Sequence, residues 1–106
     1  MSAAGDPAPI ACNLDAGSLA ERMEEWRTLV ANSVVEVDTG PTSVRLVLDG
    51  SDGALVAAAS LGQREKQCCD FFDVAIDIGA DHRALTLRVP DGAEEAMASF
   101  VALLTP

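Results

Sequence analysis

The chain has 106 residues, a length typical of one domain, and 49% of them are hydrophobic, which argues against disorder of the whole chain. Its formal net charge of −10 argues against the clustered Lys and Arg that bind nucleic acid, and against an anionic membrane surface. No apolar run reaches the ~18 residues of a membrane span, and the N-terminus lacks the features of a signal peptide. We therefore expect a cytoplasmic protein with no nucleic-acid or membrane partner.

The first predicted elements are a tail, a strand and a helix. Residues 1–9 are small, polar and proline-bearing, which predicts a disordered tail. Residues 10–12 are apolar and predict a short strand. Apolar residues then recur at helical spacing and predict an amphipathic helix that ends near Ala31: Leu19, Met23, Trp26 and Val30.

A hairpin and a second helix follow. Residues 34–37, of which three are the β-branched valine, predict a strand, Gly40 and Pro41 predict a turn, and the alternating residues 44–48 predict the partner strand. Residues 54–69 are rich in Ala, Leu, Gln, Glu and Lys and predict a helix.

Two further strands and a helix complete the chain. Residues 73–78 and 85–89 both alternate between apolar and polar side chains, and Pro90 ends the second run. A helical pattern then runs from Ala93 to Leu104. We therefore predict a single α+β domain over residues 10–105.

The order of elements predicts a particular topology. The first six match the split βαβ of the ferredoxin-like fold (βαββαβ), to which a strand and a helix are added at the C-terminus. In that fold the first and fourth strands are antiparallel neighbours. We therefore expect Cys12, at the end of the first strand, beside the residues that precede Asp73. Cys68 and Cys69 lie in that place, so the fold would gather the three cysteines of the chain.

The segment around these cysteines predicts a metal site. On a helix, Glu65 lies three residues before Cys68 and four before Cys69, spacings that bring its carboxylate toward both thiols. Soft thiolates select thiophilic ions, which here include mercury, copper(I) and zinc, and a carboxylate can add an oxygen ligand. Cys12, Cys68, Cys69 and Glu65 are therefore the predicted metal ligands, with Phe71 and Phe72 as an apolar wall.

A purely structural role for the cysteines is the simplest alternative. Cysteine is among the most buried residue types and often packs as a small apolar side chain. Neighbouring helix positions, however, point ~100° apart, so packing alone would not normally bury both Cys68 and Cys69. Three cysteines cannot all pair within one chain, and cytoplasmic thiols stay reduced. We interpret them as reduced thiols or metal ligands.

His82, the single histidine, lies in the predicted turn after Asp73–Ile78, at the end of that strand far from the cysteines. We interpret it as a solvated turn residue.

The sequence also resembles a known bacterial domain. The likeness rests on residues 10–14, on Glu25-Trp26-Arg27, and on Glu65 with the Cys-Cys and Phe-Phe pairs that follow it. The domain occurs alone, or behind the winged DNA-binding region of mercury-resistance-regulator-like (MerR-type) proteins. The resemblance implies a sensing or metal-handling module with Cys12, Cys68, Cys69 and Glu65 at the matching positions. The DNA-binding region has no counterpart in this chain.

Three functions remain open from the sequence. The first is a module that binds a thiophilic ion, the second is a thiol enzyme or redox protein, and the third is an interaction domain with inert cysteines. Cys68 and Cys69 are predicted at a helix C-terminus, whose dipole disfavours a thiolate unless a cation offsets it. This favours ion binding over catalysis. A homodimer is a further expectation, because the edge strand of an open sheet invites pairing.

Overall fold

The computed structural model describes residues 16–69 and 71–104. The elements run in the order α1 (Ala16–Ser33), β1 (Val34–Thr39), β2 (Ser43–Leu48), α2 (Ala54–Cys68), β3 (Asp73–Ile78), β4 (Arg83–Arg88) and α3 (Glu94–Leu104). The α+β class is confirmed, and these elements match those predicted for residues 16–104. The predicted tail and the predicted strand at residues 10–12 lie outside the described residues.

The four described strands form one antiparallel sheet in the order β1-β2-β4-β3. A ferredoxin-like sheet would place the first strand of the chain between β2 and β3, and here β4 holds that position. The ferredoxin-like topology is therefore not confirmed. Two physical reasons favour the observed order. A tight turn joins β3 to β4, and Leu85 and Leu87 of β4 are fully buried, as suits a central strand.

The helices pack on each other and against one face of the sheet. Alternation along β2 shows which face this is, because Val44, Leu46 and Leu48 are buried whereas Arg45 and Val47 are only half-buried. Within residues 16–69 and 71–104, no helix has both the length and the apolar content needed to cross a bilayer.

An aromatic cluster fills the space between helices and sheet. Trp26, Phe72 and Phe100 are all fully buried. The Trp26 and Phe100 rings meet edge to face at 5.4 Å, and the Phe72 and Phe100 rings lie 5.6 Å apart. Such ring pairs add stability beyond the burial of apolar area. The cluster therefore ties α1, α3 and the segment before β3 together.

Gly62 allows α2 to approach the sheet closely. A Cβ atom added to this glycine would lie 2.9 Å from Cγ1 of Val74 on β3, which is too short for a carbon–carbon contact. The close approach explains why a helix interior keeps a residue that costs ~1 kcal/mol relative to alanine.

Candidate functional site

Helix α2 ends at the cysteine pair. Cys68 is its last residue, and Cys69 follows with extended backbone angles of φ −133° and ψ 91°. The Cys69 N–H still donates to the carbonyl of Glu65 at 2.8 Å, and the Phe72 N–H donates to the carbonyl of Cys69 at 3.1 Å. A compact turn therefore connects α2 to β3, and it begins at Cys69, directly after Cys68.

The two sulfur atoms lie together in the protein interior. Their Sγ atoms are 3.5 Å apart, with Cys68 8% exposed and Cys69 fully buried. Neighbouring positions within one helix would not normally both be buried. Cys69, however, has left the helix, and its extended backbone redirects its side chain. Burial of both residues is thus compatible with a structural role as well as with a site.

The two cysteines differ in chemical state. Cys68 keeps its thiol, whereas Cys69 is disulfide-bonded. We expected reduced thiols throughout, so the structure differs from the sequence interpretation at Cys69. Cys12 lies outside the described residues. Because β4 separates β2 from β3, the ferredoxin-like argument for placing Cys12 beside the pair is also lost, and its proximity stays a prediction.

Glu65 is a buried carboxylate with two donors. The residue is 3% exposed, and its Oε2 atom accepts hydrogen bonds from Trp26 Nε1 at 2.9 Å and from Arg22 Nη1 at 3.1 Å. The Arg22 side chain is itself 12% exposed. Both donors are on α1, at positions four residues apart that share one helix face. The ion pair and the indole hydrogen bond satisfy the charge and one oxygen of Glu65.

Sequence reasoning missed Arg22 and Trp26 as partners of Glu65. Trp26 belongs to the apolar face of the predicted helix and is fully buried, and its N–H needs an acceptor when buried. A glutamate on the inner face of a helix likewise needs a cation. These two requirements are visible in the sequence, but they do not identify the residues that meet them. As a metal ligand, Glu65 would have to act while still bound to these donors or exchange them.

The apolar surroundings of the cysteines match the expectation in part. Phe72 is fully buried in the same core as Cys68 and Cys69, and Phe71 packs against that core. The two rings are 5.1 Å apart. Among the residues that the structure describes, no group of three or more His, Cys, Asp or Glu side chains is placed to hold a metal ion. A complete site would therefore need a ligand from outside these residues, and Cys12 is the predicted one.

A separate cleft of about 610 Å³ lies between α1 and α2. Its floor includes Leu29 and Leu61, and its rim includes Glu21 and Glu24. Neither Cys68 nor Cys69 lines it, so this cleft is separate from the cysteine pair.

His82 lies in the β3–β4 turn, as predicted. Its Nε2 is 2.9 Å from Asp77 Oδ2 and its Nδ1 is 3.1 Å from Asp81 Oδ1. Strand β3 separates this turn from the cysteines, and its six residues span ~16 Å at ~3.3 Å per residue. The hydrogen bonds to Asp81 and Asp77 raise the pKa of His82 above its ordinary value of 6.5. The hydrogen bond from His82 lowers the pKa of Asp77.

The His82 turn should make stability depend on pH. The folded state raises the pKa of His82. Its contribution to the stability of the fold is therefore complete below pH ~6.5 and is lost as the pH rises through the pKa of the folded state. Asp77 has the opposite pH dependence, since the stability that it contributes is lost as the pH falls through its lowered pKa. We expect His82→Gln to lower the melting temperature slightly at mildly acidic pH and hardly at all at alkaline pH. Thermal unfolding across pH checks this, and an equal loss at every pH would contradict it.

No protein-family model matches the chain, and comparisons with curated proteins and with solved structures also gave no match.

Proposed function

We propose that this chain is a thiol-based binding module for a thiophilic metal ion, which it holds for sensing, sequestration or delivery. The observation that carries the proposal is the 3.5 Å separation of the Cys68 and Cys69 sulfur atoms in a buried corner. If each sulfur bound one shared ion at ~2.3 Å, this separation would give a sulfur–ion–sulfur angle of about 100°, which is close to the tetrahedral angle. The pair therefore suits an ion with bent or tetrahedral coordination, and zinc is the simplest such ion to test.

The proposal applies to the reduced protein. A disulfide-bonded sulfur carries no thiolate charge, so Cys69 can become a ligand only after its disulfide is reduced. Cys68 and Cys69 then supply two ligands, and Cys12 is the proposed third. Glu65 is the proposed weaker ligand, since a soft ion prefers sulfur and Arg22 and Trp26 already engage its Oε2. The resemblance to the domain of MerR-type proteins agrees with this reading of the same four residues.

Calorimetric titration of the reduced protein with zinc, free of chelators, tests the proposal. We expect one equivalent to bind, with an affinity that rises with pH because the thiols must lose their protons. Cys68→Ser/Cys69→Ser should abolish tight binding, since serine keeps the size but removes the soft ligand. Cys12→Ser should weaken binding strongly and Glu65→Gln less. His82→Ala is the matched control and should bind like the wild type, because its turn lies at the other end of β3.

Two results would contradict the metal proposal. Unchanged affinity in the Cys68→Ser/Cys69→Ser variant would exclude the thiol site. Equal losses for His82→Ala and the cysteine variants would mean that binding reports the overall acidity of the chain and not a site.

The disulfide at Cys69 favours a second candidate, a thiol redox protein. The Cys68 sulfur lies 3.5 Å from a disulfide sulfur, and thiolate attack on a disulfide is the elementary step of exchange. Attack by Cys68 would form a Cys68–Cys69 bond and release the sulfur previously bonded to Cys69 as a thiolate, with no external oxidant. If zinc does not bind the reduced protein but Cys68→Ser slows reduction of the Cys69 disulfide by dithiothreitol, this candidate replaces the first.

A further inference from the structure

Strand β3 presents exposed apolar side chains at an edge of the sheet. In the part of the chain that the structure describes, β3 is hydrogen-bonded to β4 alone. Ile76 is 48% exposed and Ile78 is 62% exposed. Both alternate in register with Val74, which packs under Gly62 of α2, so they belong to the helix side of the sheet. Ile76 and Ile78 therefore extend the apolar face of the sheet beyond the area that the helices cover.

The neighbouring face of α2 adds to this exposed apolar surface. A shallow cleft of about 510 Å³ between helix and strand is lined by Ala59, Gln63, Lys66, Asp73, Val74 and Ile76. Val56 lies one helical turn before Ala59 on the same face and is 73% exposed. Exposed apolar surface of this kind, next to a strand edge, is characteristic of a protein–protein contact.

The opposite edge of the sheet differs in its pairing. Strand β1 carries a register irregularity between Val34 and Glu36. Bulges of this kind are one device by which proteins prevent edge-to-edge pairing. Strand β3, in contrast, pairs with β4 in continuous register along all six of its residues. Of the two edges of the described sheet, β3 is therefore better suited to accept another strand.

We propose that β3 is the surface through which two copies of this chain pair edge to edge, in antiparallel orientation, across a twofold axis. The distribution of charge selects the register. Centring the axis on Ile76 places Ile76 opposite its own copy, Val74 opposite Ile78 and Ala75 opposite Asp77. Centring it on Ala75 would set Asp73 against Asp77, and like charges in direct opposition destabilise a sheet. The first register thus buries the exposed isoleucines without opposing aspartates.

The dimer should be weak and sensitive to salt. One strand and one helix face bury less than the ~1,600 Å² of a standard interface, which indicates reversible association. Each copy also carries a formal charge of −10, so the copies repel each other. Added salt shortens the range of this repulsion to ~10 Å at 0.1 M. We therefore expect salt to strengthen association, in contrast to an interface held by opposite charges.

Analytical ultracentrifugation of the full chain, with reductant present to exclude disulfide-linked copies, tests the proposal. The wild type should shift from monomer to dimer as concentration rises. Ile76→Lys should weaken the dimer by about tenfold or more, because it places a charge at the centre of the interface. Val35→Lys is the matched control, since Val35 is a similar side chain, 66% exposed on the other edge strand, and it should leave association unchanged.

Hydrogen exchange distinguishes the remaining outcomes. In the proposed dimer, protection of the β3 amides that do not bond β4 rises with protein concentration. Protection that is already complete in a monomeric wild type would mean that another part of the same chain covers β3, and this would overturn the proposal. A monomer at all concentrations and salts, or equal weakening by Ile76→Lys and Val35→Lys, would overturn it as well. Circular dichroism on both variants verifies that they fold.

Discussion

Replacing Glu65 with alanine should lower the free energy of unfolding by about 3–5 kcal/mol, the usual cost of removing one partner from a buried ion pair. The Glu65 and Arg22 side chains are 4% and 12% exposed, so water replaces the lost carboxylate poorly. The Trp26 N–H, which is 2.9 Å from Glu65 Oε2, loses its acceptor in the same step. Urea unfolding followed by the fluorescence of Trp26, the single tryptophan, measures the effect.

An exposed pair between the same two helices provides the control for Glu65. Glu25 binds Arg64 at 2.8 Å, but their side chains are 46% and 38% exposed. Glu25→Ala should therefore cost only ~0–1 kcal/mol. Glu65→Gln should fall between the two, because the amide oxygen still accepts from Trp26 while the Arg22 charge is left uncompensated. If Glu65→Ala costs no more than Glu25→Ala, the buried cluster is not a determinant of stability.

Phe100→Ala should destabilise the fold by a similar amount, about 3–5 kcal/mol. Phe100 is fully buried and its ring contacts both Trp26 and Phe72, so truncation leaves a cavity at the centre of the aromatic cluster. Phe71→Ala is the matched control, because the Phe71 ring only packs against the edge of the core. Denaturant unfolding of both variants should show a loss for Phe100→Ala at least about twice that for Phe71→Ala. Equal losses would mean that the core collapses around the missing ring.

Local patterns predicted the elements well. Strand Asp73–Ile78 was predicted end to end, because its alternation is regular and a turn bounds it. The start of α2 shows where local reasoning was weaker. Serine and aspartate are preferred N-cap residues and occupy positions 51 and 52, yet Gly53 takes the N-cap position with φ 85° and makes no side-chain cap. The Ser51 hydroxyl donates to Asp49 Oδ1 at 2.7 Å instead. The glycine supplies the left-handed turn that a serine would adopt only with strain.

Long-range relations were harder to predict. The position of β4 between β2 and β3 depends on pairing between distant strands, which periodicity does not encode. Arg22 and Glu65 are 43 residues apart in the sequence, and the residues around each do not indicate that the two form an ion pair. The disulfide at Cys69 depends on proximity in three dimensions and on redox conditions. The sequence therefore indicated that Cys68, Cys69 and Glu65 belong to one region. It did not indicate the redox state of each cysteine or the hydrogen-bond donors of Glu65.

Burial of the cysteine pair has a kinetic consequence. Cys69 is fully buried and Cys68 nearly so; Cys68 ends α2 and Cys69 begins the turn that leads to β3. An ion or a reagent therefore reaches the sulfur atoms only when this turn opens, so the rate of capture is set by the opening equilibrium as well as by encounter. Release of a bound ion would also require this turn to open. For the proposed metal site, a turn that opens rarely would slow both the binding and the release of the ion, even where the equilibrium affinity is modest.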